Sequence, residues 1–222
     1  MRFLDILIIT SLFSVSQSES VPLGRVILIR HGEKDAKGKS GDIHLNERGE
    51  IRAKALAEMF FPSHQSDTND MELQFNGIAS VVAQAATDRH PSRRKIETAQ
   101  PIVKAGHITL KLFDHQDIKG TCEYIAAESK VGRTTLVVWD HTTISDLANE
   151  LLSLPRGTIQ WPMNRYDVIW ELIPEDMRLR QYCQHLLFGD LWCPINPIQV
   201  FPYTDTYRRY MNGEKGFSPV LM

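Results

Sequence analysis

The chain has few cysteines, no excess of one charge, no long apolar run and no repeat, and each shortage removes a class of protein. Three cysteines in 222 residues, Cys122, Cys183 and Cys193, are too few for a disulfide-built miniprotein, and a chain of this length can bury a core that needs neither staples nor structural zinc. Against 27 acidic side chains stand 25 Lys and Arg, a formal charge of -2, so no basic surplus exists to neutralise a nucleic-acid backbone. The longest apolar stretch near the start, Ile6 to Val15, is about ten residues, half of what a spanning helix needs, and this argues against a membrane anchor. No Asn-x-Ser/Thr sequon occurs, so N-glycosylation is not expected. No internal repeat, linker or shift of composition marks a second domain, and nothing in the pattern specifies an oligomer.

What is present begins with Arg2, the apolar run, and then small residues at alternate positions in Ser16-Gln17-Ser18. The pattern predicts a secretory signal over residues 1–18, a single domain over 19–222, and a secreted or secretory-pathway location. In an oxidising compartment an odd cysteine count leaves one thiol over, and Cys183 and Cys193 are close enough in sequence to close a small loop.

From Val21 onward, short β-branched runs alternate with stretches of helical spacing. Val26-Ile27-Leu28-Ile29 is continuously apolar, as strands covered on both faces are. Ile51, Ala55, Leu56, Met59 and Phe60 recur at helical spacing between the N-cap candidate Asn46 and Pro62. Further strands are predicted at Ile78 to Ala83, Ile108 to Phe113 and Thr134 to Trp139, and further helices at Arg93 to Lys104, interrupted near Pro101, at Thr121 to Lys130 and at Ile144 to Leu152. This alternation predicts a three-layer α/β/α fold around a mostly parallel sheet. Tyr166 to Leu172 reads as one more strand, at an edge, and the tail from Pro194 reads as irregular surface packing.

Two strands end in chemistry. Arg30-His31-Gly32-Glu33-Lys34 follows the first apolar run, and Asp140-His141 follows Leu136-Val137-Val138-Trp139. Ligands of open α/β sheets bind beyond the carboxyl ends of the strands, and Gly32 permits both a sharp turn and close approach of a ligand. Arg94, at the start of a predicted helix, adds a cation where a helix N-terminus already favours anions. Two Arg and two His suit a phosphoryl group: Arg forks bind its oxygens, and a neutral imidazole can attack phosphorus. The metallohydrolase alternative, from His31, His115, His141 and carboxylates, lacks a His pair at i, i+4 or a close Asp/His cluster in the sequence.

On Leu28-Ile29-Arg30-His31-Gly32-Glu33-Lys34, Leu45-Asn46-Glu47-Arg48-Gly49 with Ala53, Arg94 with Glu97-Thr98-Ala99, and Val137-Val138-Trp139-Asp140-His141, the chain resembles the histidine phosphatase superfamily, the phosphoglycerate mutase-like fold. Trp161-Pro162 and Tyr166-Asp167-Val168-Ile169-Trp170 extend the likeness toward the C-terminus. The resemblance implies a phosphomonoester hydrolase with His31 as nucleophile and phosphohistidine, and with Arg30, Arg94 and His141 completing a substrate pocket into which Gly32 admits the ligand. It implies no metal and no cofactor, a small phosphorylated substrate, and neither a nucleic-acid nor a membrane partner. The general acid is left among Asp117, Asp114 and Glu33, with Asp117 placed first.

Blander readings stand beside these. Arg94 and Glu97 could form a surface ion pair, and Arg89, Arg93 and Lys95 a solvated face. His44, His64, His90, His107, His115 and His185 have no motif support and are expected in solvent. A secreted interaction protein on a phosphatase fold, with little activity, is the alternative function. A cytosolic mutase using the same pocket does not suit the N-terminal segment.

Overall fold

A computed structural model describes residues 23–35, 43–63, 75, 77–173, 177–191 and the strand at 196–200; the expected signal segment and Cys193 lie outside them. Strand β1 is Val26–Arg30, and its side chains alternate between two cores. Val26 and Leu28 pack on one face of the sheet, Ile27 and Ile29 on the other. Strand β4, Thr134–Trp139, divides in the same way, Val137 and Trp139 against Leu136 and Val138. Such strands must be apolar at every position, which is why their runs are continuous.

Helices cover both faces. Helix α1 (Glu47–Phe60) and helix α2 (Arg94–Gly106) bury Leu56, Phe60, Ala99 and Ile102 against one core. Helix α3 (Ile118–Lys130) and helix α4 (Ile144–Leu151) bury Ile125, Ile144 and Leu147 against the other. The expected three layers are therefore present. Asn46 is the N-cap of α1, its side chain accepting from the Gly49 amide, as the sequence predicts. Helix α2 is not interrupted at Pro101: the ring removes one backbone donor, and the buried face of the helix holds the remaining turns together. Helix α3 starts earlier than predicted, because Asp117 caps it.

With β2 (Ile78–Gln84), β3 (Leu110–Phe113), β5 (Val168–Ile173), β6 (Arg178–Cys183) and β7 (Asn196–Val200), the sheet runs β3-β2-β4-β1-β5-β6-β7. The four strands β1 to β4 are parallel, and β5, β6 and β7 add on by antiparallel pairing. Two expectations fail here. Strand β5 is central, not an edge, since it pairs with β1 on one side and β6 on the other. The tail holds strand β7, where irregular packing was expected. Among the described residues no helix is long and apolar enough to cross a membrane.

Strands β1 and β4 are neighbours, but their chains depart in different directions: β1 leads to α1 on one face and β4 to α4 on the other. The crevice left where two such connections diverge is where open α/β sheets bind ligands.

Candidate active site

Arg30 is the last residue of β1 and pairs with Trp139 of β4, and one residue further the His31 amide donates to the Trp139 carbonyl. The parallel register therefore sets His31 beside Asp140 and His141. The His31 side chain has no solvent exposure. Its Nδ1 lies 2.7 Å from the Gly32 carbonyl oxygen, which can only accept, so Nδ1 carries the proton and Nε2 keeps its lone pair. That buried Nε2 makes no hydrogen bond among the described residues and stands 3.8 Å from Asp140 Oδ2. The two imidazole rings meet edge to face with centroids 6.4 Å apart. Burial, countered in part by the Gly32 carbonyl and reinforced by the charge of Arg30, holds His31 well below the ordinary imidazole range, so the ring is neutral at pH 7.

The glycines and polar residues around this turn have defined tasks. The Gly32 amide donates to Thr98 Oγ1, which in turn donates to the Arg94 carbonyl, tying the strand end to the first turn of α2. A Cβ on Gly49 would lie 2.4 Å from the Glu33 carbonyl oxygen, so α1 approaches the turn only because residue 49 has no side chain. Glu97 binds the His44 imidazole and the Leu45 amide, an anchor for the segment leading into α1 in place of the expected pair with Arg94.

Arg30, Arg94 and Lys95 are all buried, and the expected solvated face of Lys95 is overturned. Arg94 stands near enough for its charge to act on Arg30, His31, His141 and Lys95. Burial is the main influence on Lys95 and, despite the attraction of Asp140, lowers it to about 8. Only Arg89 and Arg93 of that basic run remain exposed. Arg30 Nη1 donates to the Met163 carbonyl at 2.6 Å, and its guanidinium lies 3.8 Å from the centroid of the Tyr166 ring. Tyr166 also meets His31 edge to face, so the segment before β5 forms a wall of the site.

Sequence reasoning missed Asp140. It stands between the two histidines, with Oδ1 3.3 Å from His141 Nδ1. Burial would raise its carboxyl, but hydrogen bonds from the Thr142 amide and hydroxyl and the nearby imidazoles hold it far below the ordinary carboxylate range. His31, Asp140 and His141 form the close Asp/His cluster that the sequence did not show, because parallel register is not written in local spacing. His115 is elsewhere, stacked on His90 at 4.1 Å.

The three acid candidates are otherwise engaged. Asp117 is exposed and accepts from the Gly120 amide as the cap of α3, and Asp114 is exposed and accepts from the Gln116 amide. Both follow β3, three strands from β1, which is about 14 Å across the sheet. Glu33 is buried against Arg52, with Arg52 Nη2 2.7 Å from Oε1 and Arg48 Nε 3.0 Å away. Burial raises the Glu33 carboxyl, and the hydrogen bonds and charge of Arg52 more than offset it, keeping Glu33 ionised and without a proton to give.

Lys95 supplies a prediction here. A lysine lowered from 10.5 to about 8 is charged at pH 7 in both folded and unfolded states, at a folded-state cost of about 3 kcal/mol. In the wild type that cost disappears as pH rises from about 8 through 10.5, where the unfolded state binds more protons. Lys95→Met is expected to raise the urea midpoint at pH 7 and to flatten this alkaline rise, while weakening inhibition by vanadate. An unchanged midpoint with unchanged vanadate affinity would show that Lys95 is neither strained nor part of the site.

No protein-family model matches the sequence, and no match was found among curated proteins. The fold is similar to two solved phosphatase structures. One is the protein histidine phosphatase SixA complexed with tungstate, at 14% identity over 76% of this chain and 94% of that one, TM-score 0.45. The other is a mycobacterial glucosyl-3-phosphoglycerate phosphatase, at 16% identity over 67% of this chain and 89% of that one, TM-score 0.42.

Proposed function

We propose that this chain is a histidine phosphatase, a phosphomonoester hydrolase that works through a phosphohistidine on His31 and needs no metal. One observation carries the reading: the Gly32 carbonyl fixes the proton of His31 on Nδ1, leaving a buried, unbonded Nε2 lone pair among Arg30, Arg94 and His141. In the first step Nε2 attacks phosphorus, the N–P bond forms, and the ester P–O bond breaks with its electron pair leaving on the alcohol oxygen. The imidazole becomes cationic, and the Gly32 carbonyl, accepting from Nδ1–H, supports that charge. Water then attacks phosphorus, the N–P bond breaks, and inorganic phosphate leaves. Arg30, Arg94 and Lys95 bind the phosphoryl oxygens, and His141, kept uncharged by burial and the charge of Arg30, lines the pocket beside them.

With Asp117, Asp114 and Glu33 committed elsewhere, none of these three carboxyl groups serves the leaving group. Aryl phosphates, whose leaving groups are weak bases, are therefore expected to be the better substrates by roughly 100-fold or more. The location we propose is the secretory pathway. The apolar start of the sequence supports it, as does the disulfide-bonded state of Cys183, beside a free and buried Cys122.

The test is a screen of phosphomonoesters, p-nitrophenyl phosphate among them, on protein treated with EDTA. Phosphate release that survives the chelator and is inhibited by vanadate is expected. No release from any ester would favour an interaction protein on this fold. Activity lost in EDTA and regained with zinc would favour a metallohydrolase, for which the cluster of His31, Asp140 and His141 supplies ligands.

A further inference from the structure

A carboxylate in a phosphoryl pocket calls for a reason. Asp140 repels an anion held beside His31, and nothing in the two displacement steps uses it. Its surroundings are nevertheless built. Oδ1 accepts from the Thr142 amide at 3.0 Å and the Thr142 hydroxyl at 2.7 Å, an arrangement that orients the carboxylate and leaves Oδ2 facing His31.

We propose that His31 Nε2, the Asp140 carboxylate and His141 Nδ1 together bind a divalent transition-metal cation, zinc by its donor chemistry, and that the bound ion silences the nucleophile. The three donor atoms lie within 4.8 Å of one another. His141 Nδ1 lies 3.3 Å from Asp140 Oδ1 and His31 Nε2 lies 3.8 Å from Oδ2, against roughly 3.4 Å between donors on a tetrahedral zinc, so gathering both imidazoles and one carboxylate oxygen on an ion requires a small carboxylate rotation and contraction on the order of 1 Å. Both imidazole nitrogens are buried, and neither makes a hydrogen bond among the described residues. The bond from His31 Nδ1–H to the Gly32 carbonyl is the outer-shell contact that orients a ligating histidine. These groups stand at the ends of two adjacent paired strands, so the backbone brings them together before any ion arrives.

The surrounding cations set the selectivity. Arg30, Arg94, Lys34 and Lys95 oppose an ion held by charge alone, which disfavours magnesium and calcium, whose preferred ligands are oxygens. Two imidazoles and one carboxylate suit zinc, and three protein ligands leave a fourth position for water or an anion steadied by the arginines. The consequence rests on the phosphohistidine reading: the His31 lone pair that attacks phosphorus is the same one that would ligate zinc, so the two states exclude each other. Binding itself does not depend on that reading.

Isothermal titration of EDTA-treated wild-type protein with zinc chloride, and separately with magnesium chloride, tests the site. One zinc per chain and no magnesium heat are expected, with at least tenfold weaker zinc binding in His141→Ala and in Asp140→Asn. The His141 side chain is 19% exposed and its loss leaves the core intact; circular dichroism checks both folds. Absence of saturable zinc binding, or zinc bound equally by both variants, overturns the proposal. Hydrolysis of p-nitrophenyl phosphate is followed on the same metal-free protein. Activity falling in step with zinc occupancy, and returning with EDTA, supports the proposal in full. Zinc that binds at this cluster without inhibiting overturns the silencing. Metal-free protein that is inactive until zinc is added sustains the metal site while overturning both the silencing and the phosphohistidine reading.

Discussion

His31→Ala should lower turnover of p-nitrophenyl phosphate by about 1,000-fold or more, because under the proposed phosphohistidine mechanism the His31 lone pair forms the N–P bond and has no substitute within the site. The neighbouring His141 is not equivalent: its Nδ1 faces Asp140. The fold should survive, since the ring fills space at a strand end and β1 is held by its pairing with both β4 and β5. Wild-type protein quenched during turnover should carry acid-labile, base-stable phosphate on Nε2 of His31, the nitrogen left unprotonated by the Gly32 contact. Activity of the alanine variant within tenfold of wild type, with an unchanged circular dichroism spectrum, would remove His31 from the nucleophile's role.

Arg52→Met should produce the largest loss of stability, about 3 to 5 kcal/mol, because it removes the shared partner of two buried carboxylates. Arg52 is 1% exposed and binds Glu33 on one side and Asp190 on the other, with Nη2 2.7 Å and 2.6 Å from their oxygens, and Nη1 reaches Gln184 at 2.8 Å. Methionine matches much of its volume and none of its charge, and Arg48, which also reaches Glu33 at 3.0 Å and Asp190 at 3.3 Å, is half-exposed and so screened by solvent. Burial raises both carboxyls, and Arg52 draws both back below their ordinary values. Carboxyls depressed in the folded state contribute stability that is present above their unfolded values and lost as pH falls through the folded ones. The wild type should therefore lose this contribution only below about pH 4.5, whereas in Arg52→Met, where burial raises the carboxyls without Arg52 to offset it, this acid loss should shrink or reverse, because the folded state then takes up protons at least as readily as the unfolded one. Urea denaturation from pH 7 to pH 4 measures both effects. A midpoint unchanged at pH 7 would mean that the cluster adds nothing net.

His31 follows an uninterrupted apolar run and is visible from the sequence. Arg52 sits among the polar positions of an amphipathic helix and looks solvated until β6 and the turn after it bring Gln184 and Asp190 over it.

Local pattern by itself determined much of this protein. Largely apolar runs mark β1, β2 and β4, because strands covered by helices on both faces bury nearly all their side chains. Asn46 and the spacing after it mark α1, because capping and helical periodicity act within a few residues. The placing of Arg30, His31 and His141 at strand ends follows from the same runs. Tertiary structure alone decided the rest. Pairing between β1 and β4 joins residues far apart in the chain, and only its register sets Asp140 between two histidines. Strand β6 carries polar residues through most of its length and β7 is short and holds a proline; both gain strand structure from hydrogen bonding to a neighbour. Lys95 and Arg52 are buried by elements packed over them, and Asp117 is drawn into capping a helix whose start the apolar periodicity did not mark. Periodicity records which faces a segment buries; which distant groups meet there is a property of the packed chain.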